Sequence, residues 1–137
     1  SIEILPCEKF RAVDIKTLPY PGFPTDMQAQ FMSLMSVADG TGVVVETVFE
    51  NRFMQVPELL RMGAKIKTDG RTAVIDGIKK LSGAKVKATD LRAGAALVIA
   101  ALAAQGETEI CNIDHIERGY ENFDKKLSSV GINIQKL

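Results

Sequence analysis

The sequence predicts an α/β fold, a single domain made of two consecutive copies of one unit, and three observations carry that expectation. Apolar, β-branched stretches alternate with stretches of helical period along the chain, the order that builds parallel strand pairs with right-handed crossovers. A motif also repeats. Thr25-Asp26-Met27-Gln28-Ala29 returns sixty-four residues later as Thr89-Asp90-Leu91-Arg92-Ala93, while Gly40 returns as Gly106 and Arg52 as Arg118, each sixty-six residues on. Internal repetition of this kind marks a structural unit used twice. Finally, no linker separates the copies, Ser82-Gly83 reading only as a turn. Residues 1–137 are therefore one domain, with units of about 1–77 and 78–137 sharing one core.

Each element has its own justification. "FRAVDIKT" (10–17) alternates apolar and charged residues, as a half-buried strand does. "YPGFPTDMQAQ" (20–30) breaks it with two prolines and a glycine. A helix follows, with Met27, Phe31, Leu34, Met35 and Ala38 on its apolar face. "GTGVVVETVF" is almost continuously apolar, the look of a strand covered on both faces. "VPELLRMG" is a short helix, Pro57 suiting its first turn and Gly63 its end. "AKIKTDGRTAVIDGI" gives two strands around Asp69-Gly70. The second copy then supplies a strand in "AKVKATD", a helix in "LRAGAALVIAALAA", a strand in "GETEICNI", a helix in "GYENFDKKLSSVG" closed by Gly131, and a last strand in "INIQKL".

Composition narrows the function classes. Seventeen basic residues balance seventeen acidic ones, which argues against a broad polyanion surface and hence against nucleic acid, while leaving room for a few arginines to hold one small anion. The apolar run 93–104 is well short of the ~20 residues of a membrane span. Cys7 and Cys111 fit no disulfide framework or zinc motif, so reduced thiols and a cytoplasmic location are expected. His115 has no companion ligands, and no metal is expected. The opening "SIEILPCEKF", without a starting methionine, reads as a piece of something longer.

The repeated acid and arginine carry the chemical interest. Thr25 with Gln28 fits the capping-box spacing, so Asp26 can be a first-turn acid that complements the helix dipole for about 0.3–1 kcal/mol. Its other reading is a rigidly held carboxylate aimed into a ligand site, for which the proline-rich bend is suited. Asp90 after Thr89 has the same two readings. Arg52 and Arg118 stand at strand ends ahead of short helices, where anions collect and a guanidinium can grip them by two prongs. Their bland reading is surface pairing, with Glu50 for Arg52 and Glu117 or Glu121 for Arg118. Arg92, a cation in a helix's first turn, needs a compensating anion, Asp90 or a ligand. No serine triad, P-loop or dinucleotide fingerprint is present.

At these motifs a resemblance enters. "LPYPGFPTDMQAQF", "TVFENRFMQVPELLRMGA", "ATDLRAGAALVIAALAAQGETEI" and "HIERGYENFDKKLSSVG" resemble the UDP-N-acetylglucosamine 1-carboxyvinyltransferase family, the enolpyruvyl transferases of peptidoglycan synthesis. The resemblance runs over almost the whole chain. It implies an inside-out α/β barrel, of which this chain would be two consecutive units, and transfer of enolpyruvyl from phosphoenolpyruvate to the 3′-hydroxyl of UDP-N-acetylglucosamine. It implies no cofactor and no metal. Asp26 is implied to take the hydroxyl proton and to seat the sugar. Val48 is implied to contact the UDP-sugar, and Arg52, Asp90, Arg92 and Arg118 to line the anion-binding cleft. The family's reactive cysteine belongs to another domain and is matched by neither Cys7 nor Cys111.

Two functions follow as expectations. The first is part of that transferase, inactive alone because its remainder is a necessary partner, and prone to self-association through exposed apolar surface. The alternative is a non-catalytic binding or assembly module on the same fold.

Overall fold

The computed structural model describes Glu3, Leu5 and residues 7–137. Residues 10–17 begin the fold, but only Ile15–Lys16 (β1) forms a ladder; Arg11 and Thr17 make single bridges to Asp39 and Phe23. The chain then bends sharply. Gly22 N–H donates to Pro19 C=O at 2.9 Å, and Leu18 N–H to Phe23 C=O at 3.0 Å. A Cβ on Gly22 would lie 2.4 Å from Leu18 Cβ, so no other residue closes this bend unchanged.

A 3-10 turn, Thr25–Met27, leads into α1 (Gln28–Met35). Its buried face differs from the expected one. Met32 and Met35 are buried with Ala29, but so are Gln28 and Ser33, whereas Met27 and Leu34 are exposed. The reason is the neighbour. α1 packs on α3 (Leu91–Leu102), an alanine-rich helix with a glycine in it. Such a surface admits close approach, and Ser33 Oγ donates across to Ala96 C=O at 2.7 Å. A hydroxyl with a partner is not costly to bury.

Next come β2 (Thr41–Val45), α2 (Val56–Arg61), β3 (Lys65–Asp69) and β4 (Thr72–Asp76). Four strands form one sheet in the order β1-β2-β4-β3, parallel between β1 and β2 and antiparallel elsewhere. Val44 is fully buried, but Val43 and Val45 are only half covered. The strand expected to be covered on both faces thus has one half-open face, as an antiparallel neighbour permits.

In the second copy β5 (Leu81–Ser82) pairs in parallel with β7 (Ala104–Gln105), and β6 (Lys85–Lys87) with β8 (Glu109–Cys111). Ser82 therefore belongs to a strand rather than a simple turn. A one-turn helix, α4 (Asp114–Glu117), was not foreseen; α5 (Phe123–Ser129) was. Gly63 and Gly131 close their helices with φ of +87° and +92°, the left-handed stop glycine favours. Residues 132–137 form no strand. Their counterpart β3 is held by its hairpin partner β4, and among the described residues no segment pairs with 132–137 in that way.

The main core draws on both copies, with Met32, Leu59, Ile75, Leu81, Val86 and Leu97 in one cluster. A smaller one joins Ala88, Val98 and Ile116, with Phe123 and Leu127 against it. Among the described residues, no helix is long and apolar enough to cross a membrane.

Candidate active-site cleft

Thr25 does not cap its helix. The helix start has no side-chain cap, and Thr25 Oγ donates instead to Glu46 Oε2 at 2.9 Å. Glu46, just beyond β2, is 1% exposed. Its Oε1 accepts from Thr17 Oγ at 2.7 Å and from the amides of Val48 at 3.0 Å and Phe49 at 3.2 Å. Burial pushes this carboxyl's pKa up. The bonds from Thr17, Thr25, Phe49 and Val48 together outweigh burial and hold it below the ordinary glutamate range. Glu46 is not among the site residues expected from the sequence; its signal there is a single acid ending the apolar run "VVVE" beside a threonine.

The second copy is built differently. Asp90 is itself the cap, its Oδ1 accepting from Arg92 N–H at 2.8 Å and Ala93 N–H at 3.0 Å. Thr89 Oγ is buried without a partner among the described residues. Adding the sixty-six-residue repeat to position 46 gives 112, an asparagine, so this copy has no acid to receive that hydroxyl. Asp90 thus caps its own helix, whereas in the first copy Thr25 does not cap and Asp26 remains a first-turn acid.

Asp26 is free for another role. Its side chain is 66% exposed, and its Oδ1 accepts from Arg92 Nε at 2.6 Å. The anion that compensates Arg92 is therefore the acid of the other copy. This contact draws the starts of the two repeated helices together.

Arg52 follows the same logic of unexpected partners. Glu50 pairs with Arg71 at 3.0 Å, and the Arg52 guanidinium lies over the Phe49 ring, 4.2 Å from its centroid, which keeps its charge available. Arg52 and Arg92 line one small cleft together with Thr25, Gln28, Gln55 and Asp90. Gln28 Oε1 accepts from Gln55 Nε2 at 3.1 Å, leaving Gln28 Nε2 buried and unpartnered among the described residues.

The cleft thus brings together Arg52, Asp90 and Arg92, with Asp26 joined through Arg92. It does not include Val48 or Arg118. Val48 is positioned by the hydrogen bond its backbone N–H donates to Glu46 Oε1. Arg118 ends α4 rather than a strand and is exposed. It makes no ion pair among the described residues, Glu117 pairing with Lys136. Its position is nonetheless defined: Ile116 packs against Gly94, and the next residue, Gly119, lies against Leu91 beside Arg92. Cys7 and Cys111 are free thiols, exposed and half-buried, and His115 is half-buried in α4. Among the described residues no three His, Cys, Asp or Glu side chains converge on a metal position.

Two guanidinium groups can hold an anion, and a carboxylate beside them can accept a proton next to it. Residues 2–127 match the model of EPSP synthase (3-phosphoshikimate 1-carboxyvinyltransferase). The chain belongs to this family. It is 61% identical over 137 residues to UDP-N-acetylglucosamine 1-carboxyvinyltransferase of Thermodesulfovibrio yellowstonii, covering all of this chain and 33% of that protein. It is 63% identical over 129 residues to UDP-N-acetylglucosamine 1-carboxyvinyltransferase 1 of Caldanaerobacter subterraneus, covering 94% of this chain and 31% of that protein. The chain thus spans about a third of the length of these curated relatives. Among solved structures, the enolpyruvyl transferase NikO from Streptomyces tendae matches with a TM-score of 0.85 and 34% identity, over 95% of this chain and 30% of that one. EPSP synthase from Acinetobacter baumannii shares the fold, with a TM-score of 0.60 at 22% identity. The fold is therefore that of the enolpyruvyl transferases.

Proposed function

We propose that this chain carries one side of the active site of an enolpyruvyl transferase acting on UDP-N-acetylglucosamine and phosphoenolpyruvate, in the cytoplasmic branch of peptidoglycan synthesis that underlies cell shape and division. The observation that carries this reading is the Asp26–Arg92 contact, with Arg92 and Arg52 lining one cleft. Identity of about 60% to transferases of that name supports the substrate pair.

In this reading Asp26 accepts the proton of the sugar 3′-hydroxyl as its oxygen bonds to the enolpyruvyl carbon, and phosphate departs with the electrons of the carbon–oxygen bond that breaks. A carboxylate within about 3 Å of the hydroxyl, held without side-chain searching, is what that step needs. Arg52 and Arg92 hold the carboxylate or phosphate of phosphoenolpyruvate, Arg92 exchanging Asp26 for the ligand. Asp90 keeps the helix start beneath Arg92 in place. Arg118 reaches the same anions from the end of α4, and the backbone at Val48 contacts the UDP-sugar. The chemistry calls on no cofactor. The parts of the relatives outside the matched third supply the rest of the site, so the chain by itself binds without turnover.

The test is isothermal titration of the chain with UDP-N-acetylglucosamine. Saturable binding, weakened about tenfold by Asp26→Ala as expected for loss of a charge-assisted hydrogen bond, supports the reading. Tight capture of a protein or RNA with no response to the sugar would favour the binding or assembly module instead.

A further inference from the structure

Glu46 does more in this fold than end a strand. A buried carboxylate is costly unless every lone pair it presents is answered, and Glu46 is answered from four directions. Thr17, on the β1 side, binds it while also receiving Thr47 N–H at 2.9 Å. Thr25, the residue before Asp26, binds its other oxygen. The amides of Val48 and Phe49 complete the set, and Phe49 is the ring beneath Arg52. The segments that carry the acid and the guanidinium therefore converge on a single side chain.

The contrast between the copies sharpens the point. At position 112 an asparagine replaces the acid, Thr89 Oγ is left unpartnered among the described residues, and Asp90 turns back to cap its own helix. Where the glutamate is present, the threonine is drawn to it and the neighbouring aspartate points outward to Arg92.

We propose that Glu46 is a positioning residue, the buried clamp that sets Asp26 and Arg52 at their working separation by holding Thr25 and the Val48–Phe49 peptides on one carboxylate. What that separation serves rests on the transferase reading above; the clamp itself does not.

The experiment records hydrogen exchange of the Arg92 Nε–H by nitrogen-detected NMR, with UDP-N-acetylglucosamine titrations alongside, for the wild-type chain, Glu46→Gln, Thr25→Val and Thr25→Ser. The wild type should show slow exchange from the bond to Asp26. Glu46→Gln and Thr25→Val should speed it about tenfold and weaken sugar binding by a similar factor, whereas Thr25→Ser, which keeps the hydroxyl, should restore both. Slow Arg92 exchange and unchanged affinity in the two disrupted variants, with only a lowered melting temperature, would reduce Glu46 to a stabiliser of the strand end and overturn the proposal. A wild type that ignores the sugar, with the exchange difference intact, would sink the transferase reading and leave the clamp standing. If Glu46→Gln does not fold, the Thr25 pair decides the question alone.

Discussion

At the scale of single residues, two neighbouring acids of identical motif have been given different work by their surroundings. Asp90 accepts two backbone amides and caps α3; Asp26 accepts none and faces Arg92. The repeat made both acids visible, but which of them caps was open in the sequence, because it turns on contacts between segments far apart in the chain. The Asp26–Arg92 pair is exposed enough that its contribution to stability is about 0–1 kcal/mol. Asp26→Asn should therefore leave the urea midpoint nearly unchanged, and a large drop would show that the pair is structural. Glu46 should behave in the opposite way. Its folded pKa lies below the value of 4.5 it starts from, so its contribution is fully present above that value and is lost as pH falls through the lower folded pKa. The stability gap between wild type and Glu46→Gln should accordingly be wide at pH 7 and close below about pH 4.5 in urea titrations. A gap independent of pH would mean that the charge is not what matters.

The elements follow the sequence where local chemistry decides them. Stops at Gly63 and Gly131, the Asp69-Gly70 hairpin and the long apolar α3 were all legible, because a turn or an alanine-rich run acts within a few residues. The buried face of α1 was not, since it is set by the small-residue surface of α3 more than sixty residues away. Nor was the absence of a strand over 132–137, where pattern without a partner is not a strand. The α1–α3 contact predicts that Ser33→Ala, which removes the bond to Ala96, costs about 0.5–1.5 kcal/mol. Gly77→Ala should cost more, about 3 kcal/mol. Its Cβ would sit 1.7 Å from the Ala38 carbonyl oxygen, a backbone atom that cannot step aside. Urea denaturation ranks the two, and the reverse order would contradict this packing.

At the scale of the whole molecule, one cluster of buried side chains draws on Met32 to Ile75 and on Leu81, Val86, Leu97 and Ala100 alike. Leu97 is fully buried in it, so Leu97→Ala should cost about 2–5 kcal/mol and lower a single cooperative transition. Two separate transitions in calorimetry would show the copies to be independent. The same arrangement brings residues 26 and 52 from one copy to residues 90 and 92 of the other, which is why a cleft exists between them at all. Arg118 lay beyond what spacing alone could place, because α4, which carries it, was not foreseen.

The most direct measurement is a titration of the chain with phosphoenolpyruvate in the presence of UDP-N-acetylglucosamine, following the side-chain nitrogen resonances of its arginines. Arg52 and Arg92 should shift together along one saturable curve, and Asp26→Ala should change that curve for both. Resonances of Arg52 and Arg92 that stay still while Arg61 or Arg71 responds would contradict the account.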